Sequence, residues 1–322
     1  MRRTINTASA VLAAVLVSCA PKGSGGEQQT RHLRELSVPS VYTSPVERAE
    51  YTIDHYWDSL FDGNGVTDST HILGVPKGEV EQHLSNYILM LSQLPLPRAG
   101  KAVESLFSDI EEKHRSDTAS HCFQSMTEIV SRYPYDPNSP MRNEDLYLPF
   151  VQKLSSSEFT PQDMRRAYSH DAEMCSMNRF GEKVPDFRFR TLKGRDLRLY
   201  SVKAEYTMLF FSNPGCHACQ GIISEVMSRP YISEYLANGT LAVVNVYIDE
   251  DVDAWKQYAV NYPESWYSGY DPDYVIREDL LYNVRAIPSL YLLDREKRVI
   301  MKDAPTENVL NYLDRIAKQT IQ

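Results

Sequence analysis

The apolar residues of this chain change their spacing near Asn178, and that change restricts the fold more than any other feature. Before it they recur at close to the helical period, about 3.6 positions. After it they gather into short runs separated by turn residues. The first pattern suits helices that bury one stripe, and the second suits strands buried on both faces. A chain holding both in succession is expected to form two domains: an all-α one over residues 41–177 and an α/β one over 178–322. Its 322 residues are also too many for one small core.

The helical reading is specific. Segment 47–61 places Tyr51, Ile53, Tyr56, Trp57, Leu60 and Phe61 on one stripe; segment 79–94 does the same with Val80, Leu84, Tyr87, Ile88 and Leu91. Segment 100–112 follows with Val103, Leu106, Phe107 and Ile110, and further helices are expected over 120–133 and 143–154. The last opens at Thr160-Pro161, a cap followed by a first-turn proline, and runs to about Met177. No strand is expected here. Three prolines between Tyr133 and Pro140 argue against both helix and central strand, so this stretch is expected to be a rigid loop facing the second domain.

Beyond Asn178, Phe187, Phe189 and Leu192 on one side and Leu197 and Leu199 on the other flank Lys193-Gly194, as in a β-hairpin. Buried strands are expected over 206–211, 241–248 and 289–293, and an edge strand over 298–301. Helices are expected over 216–228, 251–260 and 308–317. Helices alternating with buried strands, and a closing hairpin, give a mixed sheet.

The first residues read as an address. Arg2 and Arg3 precede an apolar stretch over 8–17 that ends in Leu16-Val17-Ser18-Cys19, which resembles a bacterial lipobox. The resemblance implies a signal peptide over 1–18, lipid on Cys19 and a flexible tether over 19–40. Ala20 after the cysteine resembles outer-membrane sorting, so the expected place is the bacterial cell envelope, lipid-anchored and facing the periplasm. No later apolar run reaches the roughly 18 residues of a membrane span. A net charge of −9 offers no basic footprint, which argues against a nucleic-acid partner. The envelope is oxidising, so Cys122 and Cys175 could bridge each other or serve as buried apolar thiols.

Chemistry concentrates in Pro214-Gly215-Cys216-His217-Ala218-Cys219. A structural zinc site needs four ligands, and one cysteine pair supplies two. A redox pair needs only a strand ending in a helix start, which the segment has. Unpaired backbone N–H groups and the helix dipole would then hold the Cys216 thiol below the ordinary thiol range. Cys219, one turn inward, is the resolving thiol. Pro214 and Gly215 set the turn, His217 and Ala218 fill the spacing, and a protonated His217 would add positive charge beside the thiolate. Proline heading a buried strand often marks a cis bond, and Ile287-Pro288 is such a site. Opposite the cysteines, it would leave the Ile287 backbone free to pair with a substrate chain. No cofactor or metal is expected.

Taken with Val184-Pro185-Asp186-Phe187, Gly194, Leu209-Phe210-Phe211 and the run Val284-Arg285-Ala286-Ile287-Pro288-Ser289-Leu290-Tyr291-Leu292-Leu293-Asp294, these residues resemble the TlpA/ResA branch of thioredoxin-like proteins. That resemblance covers about residues 178–318. It implies a thioredoxin fold, a cis Pro288 beside the cysteines, and periplasmic disulfide exchange with cysteines of other envelope proteins and an upstream redox partner. The whole chain also resembles lipoproteins in which a helical domain of unknown function precedes such a domain, with Asn138-Ser139-Pro140-Met141-Arg142-Asn143-Glu144 as part of the likeness.

Phe210 and Ile222 stand where relatives often carry acids, and the tryptophan that often precedes the motif is missing. Proton transfer from Cys219 must therefore use water or another group. A peroxidase of the peroxiredoxin type needs Thr or Ser three residues before its cysteine; Asn213 stands there, with Ser212 one residue off. The rival from another class is a non-enzymatic binding or assembly lipoprotein in which the cysteine pair is only a clip.

Overall fold

The computed structural model describes residues 30–320, so the expected signal peptide, Cys19 and the start of the tether lie outside the described residues. Part of the tether expected to run to residue 40 is docked, over residues 31–34. The Arg31 amide donates to Gly74 O at 2.8 Å, and its guanidinium donates to the carbonyls of Ser59, Leu60 and Leu73.

Helix α1 (Pro45–Asp54) starts in a reciprocal cap between Ser44 and Glu47. The helix expected over 47–61 breaks before α2 (Asp58–Phe61). At the break the Tyr56 hydroxyl donates to His83 O, the Tyr56 carbonyl accepts from His83 Nε2, each at 3.0 Å, and the two rings stack. These tertiary contacts outweigh local periodicity. A two-stranded ribbon follows, β1 (His71–Ile72) and β2 (Val75–Pro76), turning on left-handed Leu73 and Gly74. The expectation of an all-α half without strands is corrected to that extent; Leu at a left-handed turn position carries no turn signal.

Next come α3 (Lys77–Leu91), α4 (Leu96–Ser116), α5 (Cys122–Tyr135), α6 (Glu144–Ser156) and α7 (Gln162–Cys175). Helix α5 carries Pro134 in its last turn, so the expected loop begins at Asp136 rather than Tyr133. Trp57, Leu84, Tyr87, Phe107, Phe123 and Phe150 fill the core of this half. Cys122 and Cys175 lie in the same core, each unbridged and fully buried. Burial pushes the Cys122 thiol up to about 12 and raises that of Cys175 as well, so both stay protonated and act as small apolar residues.

The second half begins with the expected hairpin, β3 (Arg188–Thr191) and β4 (Asp196–Arg198). It continues through β5 (Tyr206–Phe211), α8 (His217–Ser228), α9 (Ile232–Asn238), β6 (Leu241–Tyr247) and α10 (Val252–Tyr258). Strand β7 (Tyr267–Tyr270), β8 (Ser289–Leu293), β9 (Val299–Met301) and α11 (Thr306–Thr320) complete it. The sheet order is β4-β3-β7-β6-β5-β8-β9, with β5, β6 and β7 mutually parallel and β8 antiparallel to β5. Helix α9 and strand β7 were not expected from the sequence. Strand β7 contains Gly269, where an added Cβ would lie 2.7 Å from the Phe189 ring, so close packing there requires a residue that weakens the strand signal.

Alternation along the central strands splits the core. Leu209, Phe211, Val244, Val246 and Tyr291 pack against Phe187 and Tyr282 on one face. Met208, Phe210, Val243, Leu290 and Leu292 pack beneath α8, α9 and α11 on the other.

Candidate active site

Strand β5 lies inside the sheet, between β6 and β8, and every residue from Thr207 to Phe211 is buried. The chain then leaves the sheet through Asn213, Pro214 and Gly215. Gly215 takes a left-handed φ of 71°, which an L side chain rarely adopts, and this lets the turn deliver Cys216 to the start of α8. Cys216 is the N-cap: its Sγ accepts the Cys219 amide N–H at 3.1 Å. The two cysteines form a disulfide with Cα atoms 5.2 Å apart. Cys216 is half-buried, while Cys219 is 2% exposed and packed in the apolar cluster beneath α8. An outer sulfur held by a helix start and an inner sulfur shielded from solvent form an asymmetric pair. His217 and Ala218, between them, are exposed.

The register of β5 with β8 sets Phe211 opposite Ser289, which brings Pro288 to the strand end that leads to the cysteines. The Ile287–Pro288 bond is cis, as the sequence led us to expect. Ile287 is half-buried and joins the apolar cluster that holds Cys216 and Cys219.

Phe210 is fully buried in that cluster, its ring 6.3 Å from Trp266, and Ile222 packs there too. Ser212, two residues after Phe210 and on the same sheet face, donates to Asn245 Oδ1 at 2.6 Å and lies 3.1 Å from the Tyr262 hydroxyl. Burial raises the Tyr262 phenol, so it keeps its proton. Asn213 turns its amide to Asp249 at 2.6 Å, and Asp249 accepts from Arg277 at 2.7 Å. The Ser212 hydroxyl is thus engaged within the core, and the position three before Cys216 offers an amide.

Sequence reasoning missed the polar groups around this loop. Glu144, the first residue of α6 and 1% exposed, accepts from Arg285 Nε at 2.8 Å and from Asn283 Nδ2 at 3.1 Å. Its other oxygen lies 2.8 Å from Lys302 Nζ, which also donates to Cys175 O and Met177 O, each at 2.7 Å. Arg285 donates to Asp303 Oδ2 at 2.8 Å and to Tyr135 O, and it lies 4.3 Å above the Tyr135 ring centre. Arg142 donates to Asp303 O at 2.7 Å and Ala304 O at 3.0 Å. Burial pushes the Asp303 carboxyl up, and Arg285 and Arg142 oppose that. Of the stretch expected to face the second half, Tyr135 meets Arg285, and Arg142 just beyond it meets Asp303 and Ala304. These partners that meet across the two halves are 125 or more residues apart and leave no local sequence signal.

A mixed sheet with a cysteine pair at the first turn of a helix, beside a strand headed by proline, defines a thioredoxin-like protein. The same fold is seen in a solved thioredoxin-like protein from Bacteroides caccae, which is 33% identical, covers 87% of this chain and 97% of its own, and superposes with a TM-score of 0.74. The chain belongs to the family described as domain of unknown function (DUF5106), whose model matches residues 17–178. The C-terminal domain of an uncharacterized protein from Bacteroides fragilis is 42% identical over 42% of this chain and 98% of its own, with a TM-score of 0.41. A domain of a possible thiol-disulfide isomerase from Cytophaga hutchinsonii is 22% identical over 45% of this chain and 97% of its own, with a TM-score of 0.36. No curated protein matches the chain.

Proposed function

We propose that this protein is a lipid-anchored thiol–disulfide oxidoreductase of the cell envelope, of the TlpA/ResA type, acting on cysteines of other envelope proteins. The observation that carries the reading is the asymmetry of the pair: Cys216 is half-exposed with its Sγ on a helix-start N–H, and Cys219 is buried one turn behind. The N–H groups and dipole of α8 favour negative charge on the outer sulfur, which is what a nucleophile or leaving group in exchange requires.

Starting from the dithiol, the Cys216 thiolate attacks one sulfur of a client disulfide, forming a mixed disulfide and releasing one client thiolate. Cys219 then loses its proton and attacks Cys216 Sγ. This closes the Cys216–Cys219 bond, breaks the mixed disulfide and releases the second client thiolate. Two electrons pass to the client, and the proton from Cys219 ends on a departing client sulfur. With Phe210 and Ile222 in place of acids, no side-chain carboxylate at those positions shares that proton. The steps run in reverse when a client dithiol meets the oxidised pair. Ile287 and Pro288 offer backbone to the client segment, the helical half forms the remainder of a two-domain chain, and lipid on Cys19 keeps the site near the membrane.

Replacing Cys219 with Ser removes the resolving step, so mixed disulfides should accumulate on Cys216 in cells and run as reducible high-mass bands. A Cys216→Ser/Cys219→Ser chain should give none. Absence of any trapped partner, together with a disulfide potential below about −300 mV, would show that the pair is a structural clip.

A further inference from the structure

We propose that Glu144 is a positioning residue for the Ile287–Pro288 loop, so that the helical half sets the geometry of the client-binding edge. This rests on the exchange reading above and assigns the helical half a part in it.

Both flanks of the loop are tied to one buried polar lattice. Before Ile287, Asn283 and Arg285 donate to the Glu144 carboxylate at 3.1 and 2.8 Å. After Pro288, the Ser289 hydroxyl donates to Asp303 Oδ1 at 2.9 Å, and the other Asp303 oxygen accepts from Arg285 at 2.8 Å. Arg142, two residues ahead of Glu144, holds the Asp303 and Ala304 carbonyls. Asp303 belongs to the sheet half, whereas Glu144, Arg142 and the Tyr135 carbonyl reach the loop and Asp303 from the helical half.

A lattice of this kind is a poor device for stability alone. Removing its charges from water is costly, and apolar side chains of similar size often serve as well. What it supplies is direction: charge-assisted hydrogen bonds hold the Arg285 fork in one geometry, whereas apolar contacts are non-directional. Arg285 lies two residues from Ile287, and Ile287 joins the cluster around Cys216. A loop displacement of about 1 Å would misalign a client backbone against the attacking sulfur, and displacements of that size can cost up to about 100-fold in rate. A small thiol or disulfide meets Cys216 without needing the loop.

The test compares the full chain with Glu144→Gln, which keeps shape and removes charge. Hydrogen exchange should rise at least tenfold in residues 283–290 and stay unchanged in β6. The kcat/KM for a protein disulfide should fall on the order of tenfold, mainly through KM, relative to that for a small aromatic disulfide, with an unchanged potential for Cys216–Cys219. Wild-type protection across 283–290 in the folded variant would overturn the proposal, as would lost protection with both substrates affected equally. If Glu144→Gln does not fold, Asn283→Ala, which removes the Nδ2 hydrogen bonds to the two carboxylate oxygens and leaves Arg285 and Lys302 on Glu144, is read by the same criteria. Should the wild-type chain exchange with no protein disulfide, the exchange reading fails, while the protection data still decide whether Glu144 holds the loop.

Discussion

Lys302→Met puts the link between the two halves to a quantitative test. The ammonium is almost fully buried and reaches three acceptors: Glu144 Oε2 at 2.8 Å and the Cys175 and Met177 carbonyls at 2.7 Å. Methionine fills similar space without a charge or a donor. Glu144 would keep Arg285 and Asn283, but the carbonyls of Cys175, at the end of α7, and of Met177, just beyond it, would lose their donor. Breaking a buried pair from one side costs about 3–5 kcal/mol, a large part of the roughly 5–15 kcal/mol that holds a typical domain folded. In the Lys302→Met/Glu144→Gln chain the Glu144 carboxylate is no longer there to lose its ammonium partner. Its loss should therefore fall short of the sum of the single losses by about 1–3 kcal/mol. Urea titration of the four chains measures this cycle, with Trp57 reporting on the helical core and Trp255 and Trp266 on the sheet half. A single-variant loss below about 1 kcal/mol, or strict additivity, would mean instead that the amine finds solvent and does not join the two halves.

Two further outcomes follow from other sites. Burial pushes the Asp109 carboxyl up to about 6, with Asp58 and Glu112 adding repulsion, so the folded chain keeps a proton that the unfolded chain releases. Its contribution is therefore fully present below about pH 4 and is lost as the pH rises to about 6. Asp109→Asn should gain stability over wild type across that window and hold the gain at pH 7; a difference independent of pH in urea midpoints contradicts this. Lipid on Cys19 predicts that cells fed labelled fatty acid label the wild-type chain, and that Cys19→Ala loses both label and membrane retention. Labelled Cys19→Ala protein would end the anchoring proposal.

Much of this protein could be read without coordinates because the relevant physics is local. The helical period before Asn178, the buried strand at Leu209-Phe210-Phe211, and the turn Pro214-Gly215 placing Cys216 at a helix start each depend on neighbours within a few residues. So does the cis peptide at Pro288, where proline lowers the cost of the isomer. The break at Tyr56, the left-handed Leu73 and the glycine-bearing strand β7 depend on packing partners remote in sequence, and their local signals point elsewhere. The charge lattice is the extreme case. Glu144 looks like an ordinary first-turn acid, and Arg285 and Lys302 look like surface cations. Only the tertiary structure buries them together, because hydrogen bonding that offsets desolvation requires groups more than 100 residues apart to meet in one place. The sequence alone determined the cysteine pair and its helix; tertiary packing decided what holds the loop beside it.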